Sequence, residues 1–294
     1  MPMVEKFLDY IKFERNYSPM TVINYRKDLT EFERFYKELE PLLSWESIDS
    51  DIVRNWMEYM MDRGNSASSV NRRLSALRSF YRFALRRKLI DKDPVHGLQG
   101  PKKQKPLPQF LKESEMERLL DSKMWTDSYK DVLERTIIIT FYVTGVRLSE
   151  LIGLDDKDID NVTCEIKVTG KRNKQRIVPF GKELADVFAQ YQEVRNATVK
   201  GDSKAFFQTE KGKRMTTAQV RTLVKKNLSK VSTLKKRSPH VLRHTFATAM
   251  LNHEAGLESV KKLLGHESLS TTEIYTHTTF EQLKKVYKNA HPRA

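Results

Sequence analysis

Cysteine is nearly missing from the chain: Cys164 is the single one in 294 residues. That excludes an internal disulfide and a cysteine-based zinc site, and it makes a reducing compartment, the cytoplasm, the expected location. Long apolar runs are missing too. The longest, Ile137 to Val143 (IIITFYV), is far too short to span a bilayer. The first residues, MPMVEKFLDYIKFERN, carry charge where a signal peptide needs an apolar region, so neither a membrane nor export is expected. Acidic residues are absent from three stretches. Lys211 to Arg237 holds ten Lys/Arg and no acid, Ser66 to Ile90 holds seven and none, and Lys167 to Arg176 holds five and none.

What is present follows from that imbalance. Lys and Arg number 53 against 38 Asp and Glu, giving a net charge of +15 and a pI near 9.7. Like charges repel unless a partner neutralises them, so three acid-free runs favour a polyanion, with nucleic acid ahead of acidic lipid. Hydrophobic residues at 39% and charged residues at 31% suit a globular chain with a sizeable core.

The first hundred residues read as all-helical. Val4 to Glu14 carries Phe7, Leu8 and Ile11 at helical spacing. Ser18 and Pro19 read as an N-cap and a first-turn proline, opening a helix with Val22, Tyr25, Leu29, Phe32 and Phe35 on one stripe. A third helix spans about 51–62 and ends before Gly64. A fourth runs from Ser66 to about Leu89. Val70, Leu74, Leu77, Tyr81 and Ala84 form its core stripe, while Arg72, Arg82 and Arg86 face the other way as candidate DNA contacts.

Residues 91–108, DKDPVHGLQGPKKQKPLP, read as a basic linker, with domains expected at 1–104 and 105–294. Such a linker would let two DNA-facing domains close around a duplex. Beyond it, a helix is expected at 112–120, and a buried one from Val132 to about Thr144, broken at Gly145. Cys164 to Val168 alternates as a strand, Arg176 to Pro179 is its partner, and TGKRNKQ is the turn. Ser238-Pro239 opens a helix that Gly256 ends, and Leu257 to Leu264 forms another, stopped by Gly265. Ser270 to Glu273 is a capping box, which puts Tyr275 in the second turn of a short helix. The fold class is mainly α, with a small antiparallel sheet in the second domain.

Several polar residues sit where chemistry is possible. His240 and Arg243 lie three apart near a helix N-terminus, with His244 beside them. A guanidinium fork, an imidazole and a helix dipole suit an oxyanion, although a satisfied polar edge of a core helix would look the same. His240 and His244 have zinc-ligand spacing but lack the Glu of H-E-x-x-H. Arg147 emerges from an apolar element and needs a carboxylate or a phosphate, and Glu150 is one available carboxylate. Lys171 sits at a basic hairpin tip. Tyr275 stands in a polar, threonine-rich segment between His266 and His277, and a phenol of pKa about 10 is a poor nucleophile unless a base takes its proton and cations stabilise the phenolate.

Taken in order, TGVRLSEL, GKRNKQRIVP, PHVLRHTFAT and LLGHESLSTTEIYTH resemble the tyrosine site-specific recombinases. The chain end, AHPRA, and the length are most like the Xer branch, which resolves bacterial chromosome dimers. The likeness covers essentially the whole chain, and Val146 stands where the family more often has leucine. It implies a SAM-like helical N-terminal domain that grips DNA and a catalytic domain that needs no metal, ATP or other cofactor. By the same resemblance, Arg147 and Arg243 bind the scissile phosphate and Tyr275 attacks phosphorus, leaving a 3′-phosphotyrosyl link and a free 5′-hydroxyl. His240 is then the general base, His266 bonds a phosphoryl oxygen, Lys171 protonates the departing 5′ oxygen, and Glu150 supports Arg147. The implied partner is duplex DNA carrying a specific site, held by four protomers on two duplexes. Two of these are either copies of this chain or a sister recombinase, and a septal DNA translocase is a further implied partner. Rival readings are a mobile-element integrase with the same chemistry, a DNA binder without chemistry, and a metal-dependent nuclease built on the acidic run Asp155 to Asp160.

Overall fold

The computed structural model describes residues 2–103, 108–170, 173–265 and 277–294. The chain forms two compact units, Met1–Pro106 and Leu107–Ala294.

The first unit is helical. It contains α1 (Pro2–Asp9), α2 (Pro19–Leu39), α3 (Ser50–Asp62) and α4 (Ala67–Arg86), with one π-turn, Tyr10–Glu14, following α1. The expected start signals act as caps: Ser18 Oγ accepts from Thr21 N at 3.3 Å, and Ser66 Oγ accepts from Ser69 N at 3.3 Å. Leu29, Phe32, Val70, Leu74, Leu77, Tyr81 and Ala84 are all buried, so the two stripes read from the sequence meet in one core. Aromatic edges fill it, with the Trp45 and Phe80 rings 4.6 Å apart and Phe32 and Trp56 4.9 Å apart.

Part of the expected linker is in fact packed. Val95 and Leu98 are buried in this core, together with Ile90 just before the stretch. Ser50 Oγ donates to the Pro94 carbonyl at 3.0 Å, and Asn71 Nδ2 donates to that of Pro101 at 2.8 Å. Prolines and lysines dominate the composition there, yet isolated apolar residues between them suffice to pin the backbone.

The second unit is built around α6 (Tyr129–Thr144), which is buried on nearly every side from Val132 to Thr144. Its threonines are accommodated because Thr136, Thr140 and Thr144 each donate to the carbonyl four residues back, at 2.7, 2.6 and 2.5 Å. Around it lie α5 (Glu113–Leu120), α7 (Leu148–Gly153), α8 (Lys182–Thr198), α9 (Thr217–Val231), α10 (Pro239–Asn252), α11 (Leu257–Leu264) and α12 (His277–Ala290). The helix opened by Ser238-Pro239 stops at Asn252, short of the expected Gly256, which instead begins α11.

The sheet is antiparallel, in the order β1 (Ile159–Asp160), β2 (Glu165–Thr169), β3 (Gln175–Pro179). Ile166 pairs with Val178 and Thr169 with Gln175, and the ladder is continued by Gly170 N on Lys174 O at 2.7 Å. β1 is too short to carry an alternation and was not expected. Cys164 precedes β2 in a left-handed turn rather than opening it. Among the described residues no helix is long and apolar enough to cross a membrane.

Candidate active site

The site begins with two helix ends. α6 stops at Gly145 (φ +60°), where an added Cβ would lie 2.4 Å from the Phe246 ring, so conformation and packing both require glycine. The chain turns there and starts α7 with Arg147 as its N-cap. α11 stops in the same way at Gly265, φ +64°. A helix C-terminus presents unpaired carbonyls at the negative end of its dipole, which makes both ends cation sites.

Arginines take those places. Three consecutive carbonyls ending α11 each accept from a different guanidinium: Leu263 O from Arg176 Nε at 3.1 Å, Leu264 O from Arg243 Nη2 at 2.6 Å, and Gly265 O from Arg147 Nη2 at 2.8 Å. Arg243, on α10, also donates Nη1 to the carbonyl of Gly145 at 2.5 Å. The two glycine-ended helices are thereby bridged by one buried arginine.

Glu150 lies inside this ring with its side chain 0% exposed. Its Oε1 accepts from Arg147 Nη1 at 2.9 Å and Arg176 Nη1 at 2.7 Å, and its Oε2 accepts from the Arg147 backbone N at 2.7 Å and Arg176 Nη2 at 2.9 Å. Burial pushes this carboxyl up, but the hydrogen bonds and charges of Arg176 and Arg147 outweigh that and bring it down to about 2. Burial and then the nearby Arg147 pull Arg243 down to about 10, which still leaves it cationic at neutral pH. Among the described residues, three guanidinium charges against one carboxylate leave two positive charges, and that surplus suits an anion.

His240 is one turn before Arg243 on α10. Burial of part of its ring, then positive charge from His244, Arg243, Arg221 and Arg147, holds its pKa below the ordinary value, so the imidazole is neutral at pH 7 and able to take a proton.

Three arginines on helix-end carbonyls, a buried carboxylate bonded to two of them and a neutral histidine on the helix of the third coincide with a match to known proteins. The phage integrase family matches residues 109–282, and the SAM-like N-terminal domain of phage integrases matches 4–88. The chain belongs to the phage integrase family, the tyrosine recombinases. It is similar to the tyrosine recombinase XerC of Pelotomaculum thermopropionicum, 38% identical over 99% of this chain and 98% of that one. It is also similar to XerD of Oceanobacillus iheyensis, 33% identical over 99% and 98%. Among solved structures, the XerH recombinase bound to its difH substrate before cleavage shares the fold at 23% identity with a TM-score of 0.71, over 96% of this chain and 83% of that one.

In this recombinase, Arg147, Arg243 and Glu150 come together as described, with His240 on the same helix as Arg243. Lys171, His266, Tyr275 and the expected capping box at Ser270 to Glu273 lie outside the described residues. Arg176, expected as a strand residue closing a basic run and given no role in the chemistry, joins this cluster. The alternation along β3 puts it on the same side as Val178, the buried side, and that was the available signal.

In the first unit, Arg82 and Arg86 are exposed on α4, and Arg82 has no ion-pair partner among the described residues. Arg86 Nη1 donates to Tyr10 Oη at 3.3 Å. Arg72 is exposed as expected, but both of its terminal nitrogens bond the buried Asp28 on α2, so it is already engaged within the unit. The acidic run, on which the rival nuclease reading is built, has partners within the second unit. Arg195 grips Asp156 at 2.6 and 3.1 Å, Arg214 grips Asp155 at 2.5 Å, and Asp160 Oδ1 accepts from Val162 N and Thr163 N at 2.8 and 3.0 Å.

Proposed function

We propose that the chain cuts and rejoins duplex DNA at a specific site through a 3′-phosphotyrosyl intermediate, in the manner of an Xer recombinase acting on chromosome dimers in the cytoplasm. The observation that carries this reading is the pair Arg147 and Arg243. A guanidinium has five N–H donors. Among the described residues, each of these two has two terminal nitrogens bonded to protein oxygens, which leaves three N–H for a ligand. Two such forks, fixed from behind, match the non-bridging oxygens of a phosphodiester, whose negative charge grows in the transition state.

The remaining steps are assigned to residues of this chain. Neutral His240 takes the Tyr275 proton. The phenolate oxygen bonds to phosphorus, and the P–O5′ bond breaks. Lys171 supplies the proton to O5′, and His266 donates a hydrogen bond to a phosphoryl oxygen. Because the phosphotyrosyl ester retains the phosphodiester energy, a 5′-hydroxyl from the partner duplex can displace Tyr275 without ATP. Four protomers on two duplexes would provide that partner strand, either as four copies or as two copies with a sister recombinase, and a septal DNA translocase would bring the duplexes together. The exposed arginines Arg82 and Arg86 on α4 fit phosphate contacts.

The test starts from duplexes that the protein itself selects from a randomised pool, which are then nicked near the selected centre so that cleavage traps the covalent adduct. Wild type gives a denaturation-resistant protein–DNA band. Tyr275→Phe gives none, and Arg147→Ala or Arg243→Ala forms it at least about 10²-fold more slowly while binding persists. An adduct from the Phe variant, or no selected sequence at all, would sink the reading.

A further inference from the structure

We propose that Arg176 is a positioning residue of the cleavage site, fixing Arg147 through both of the groups that Arg147 leans on. This rests on the reading that Arg147 binds the scissile phosphate. Among the described residues the side chain of Arg147 has two partners, Glu150 Oε1 and the carbonyl of Gly265. Arg176 bonds the first and packs beside the residue that carries the second. Its terminal nitrogens bracket the Glu150 carboxylate at 2.7 and 2.9 Å, and its guanidinium lies under Gly265, where a Cβ would come within 3.1 Å of Nη1 and 3.2 Å of the central carbon. Its remaining Nε holds Leu263 O at 3.1 Å, two residues before Gly265.

Donor use and exposure separate the roles. Arg147 is 36% exposed and has donors to spare, as a ligand-binding group needs. Arg176 is 11% exposed, with all three nitrogens turned to protein oxygens, so it faces the frame and not the ligand. The carboxylate needs both arginines. Arg147 approaches Glu150 from three residues away on the same short helix and leaves the far side of each oxygen open. Arg176 comes from β3 and closes that side. A lysine could not substitute, because one ammonium cannot span two carboxylate oxygens and a backbone carbonyl in fixed geometry.

The experiment uses the full chain and the self-selected nicked duplex, and it measures DNA affinity, the single-turnover rate of adduct formation and the melting temperature. Arg176→Gln and Arg176→Lys are each combined with Glu150→Gln. We expect Arg176→Gln to slow adduct formation by about 10²-fold, the usual cost of a catalytic group displaced by about an ångström, with affinity within about threefold of wild type. Arg176→Lys should recover less than about a tenth of the lost rate. The double variant should be no slower than the worse single one, since both changes act through the same carboxylate. If Arg176→Gln melts below the assay temperature, Arg176→Lys decides. The proposal is overturned if the decisive variant cleaves within about threefold of wild type, if affinity and rate fall together, or if the two losses multiply in the double variant. A wild-type chain that forms no adduct would refute the proposed function instead, so the two failures are distinguishable.

Discussion

Replacing Glu150 by Gln keeps the shape of the side chain and removes its charge, which makes it the most direct test of how the site is held together. The carboxyl stands at about 2 in the folded chain against an ordinary 4.5, because two guanidinium groups and a backbone N–H outweigh its burial. A group whose folded pKa is depressed adds stability above its unfolded pKa and loses it as pH falls through the folded one. Here the contribution is about 3 kcal/mol at neutral pH, complete above about pH 5 and gone near pH 2. For a unit of this size that corresponds to a melting-temperature loss of roughly 6–12 °C in Glu150→Gln. The assay is thermal unfolding of both proteins at pH 7, 6 and 5, and taking the difference cancels every other titrating group. The gap should be constant across these three values. A gap below about 2 °C at pH 7 would refute the account. So would a gap that widens from pH 7 to pH 5, which is the mark of a carboxyl whose pKa is raised because burial wins.

Two further outcomes follow from other parts of the molecule. His291 is buried, accepts from Arg293 N on Nδ1 at 3.1 Å, and so carries its proton on Nε2, which donates to Tyr142 O at 3.2 Å. Burial holds it down to about 4, so its stabilising effect is complete above about pH 6.5 and is lost as pH falls toward 4; urea midpoints should decline across that window, and His291→Phe should flatten the decline whatever it does to absolute stability. Charge reversal at Arg82 and Arg86 should leave the melting temperature of the first unit unchanged and reduce the log–log salt slope of DNA binding by roughly two, about one for each phosphate contact. An unchanged slope would remove α4 from the DNA interface.

The readable features were those written in local chemistry. Ser18-Pro19 and Ser66 announce helix starts, Gly145 and Gly265 announce left-handed stops, and the threonine-bearing apolar run of α6 announces burial. Arg147 was legible as an arginine that needed a partner, and Glu150 as one candidate. What stayed hidden depends on contacts between distant segments. Arg176 meets Glu150 from 26 residues away. Arg195 and Arg214 close on Asp156 and Asp155 from 39 and 59 residues away, which turned an apparently open acidic run into a neutralised one. Val95 and Leu98 were masked by the prolines and lysines around them. The carbonyls that hold the arginines carry no side-chain signature, because every residue has one.

The same backbone acceptors govern how α11 can vary. Its final three carbonyls face three different arginines, and each residue of an α-helix advances the backbone by 100° and 1.5 Å. Substituting the solvent-facing residues of α11 leaves those acceptors where they are. Adding or deleting one residue between Leu257 and Gly265 swings all of them to a new bearing at once. Within α11, spelling is therefore freer than length, and relatives of this chain should tolerate many letters there but few indels.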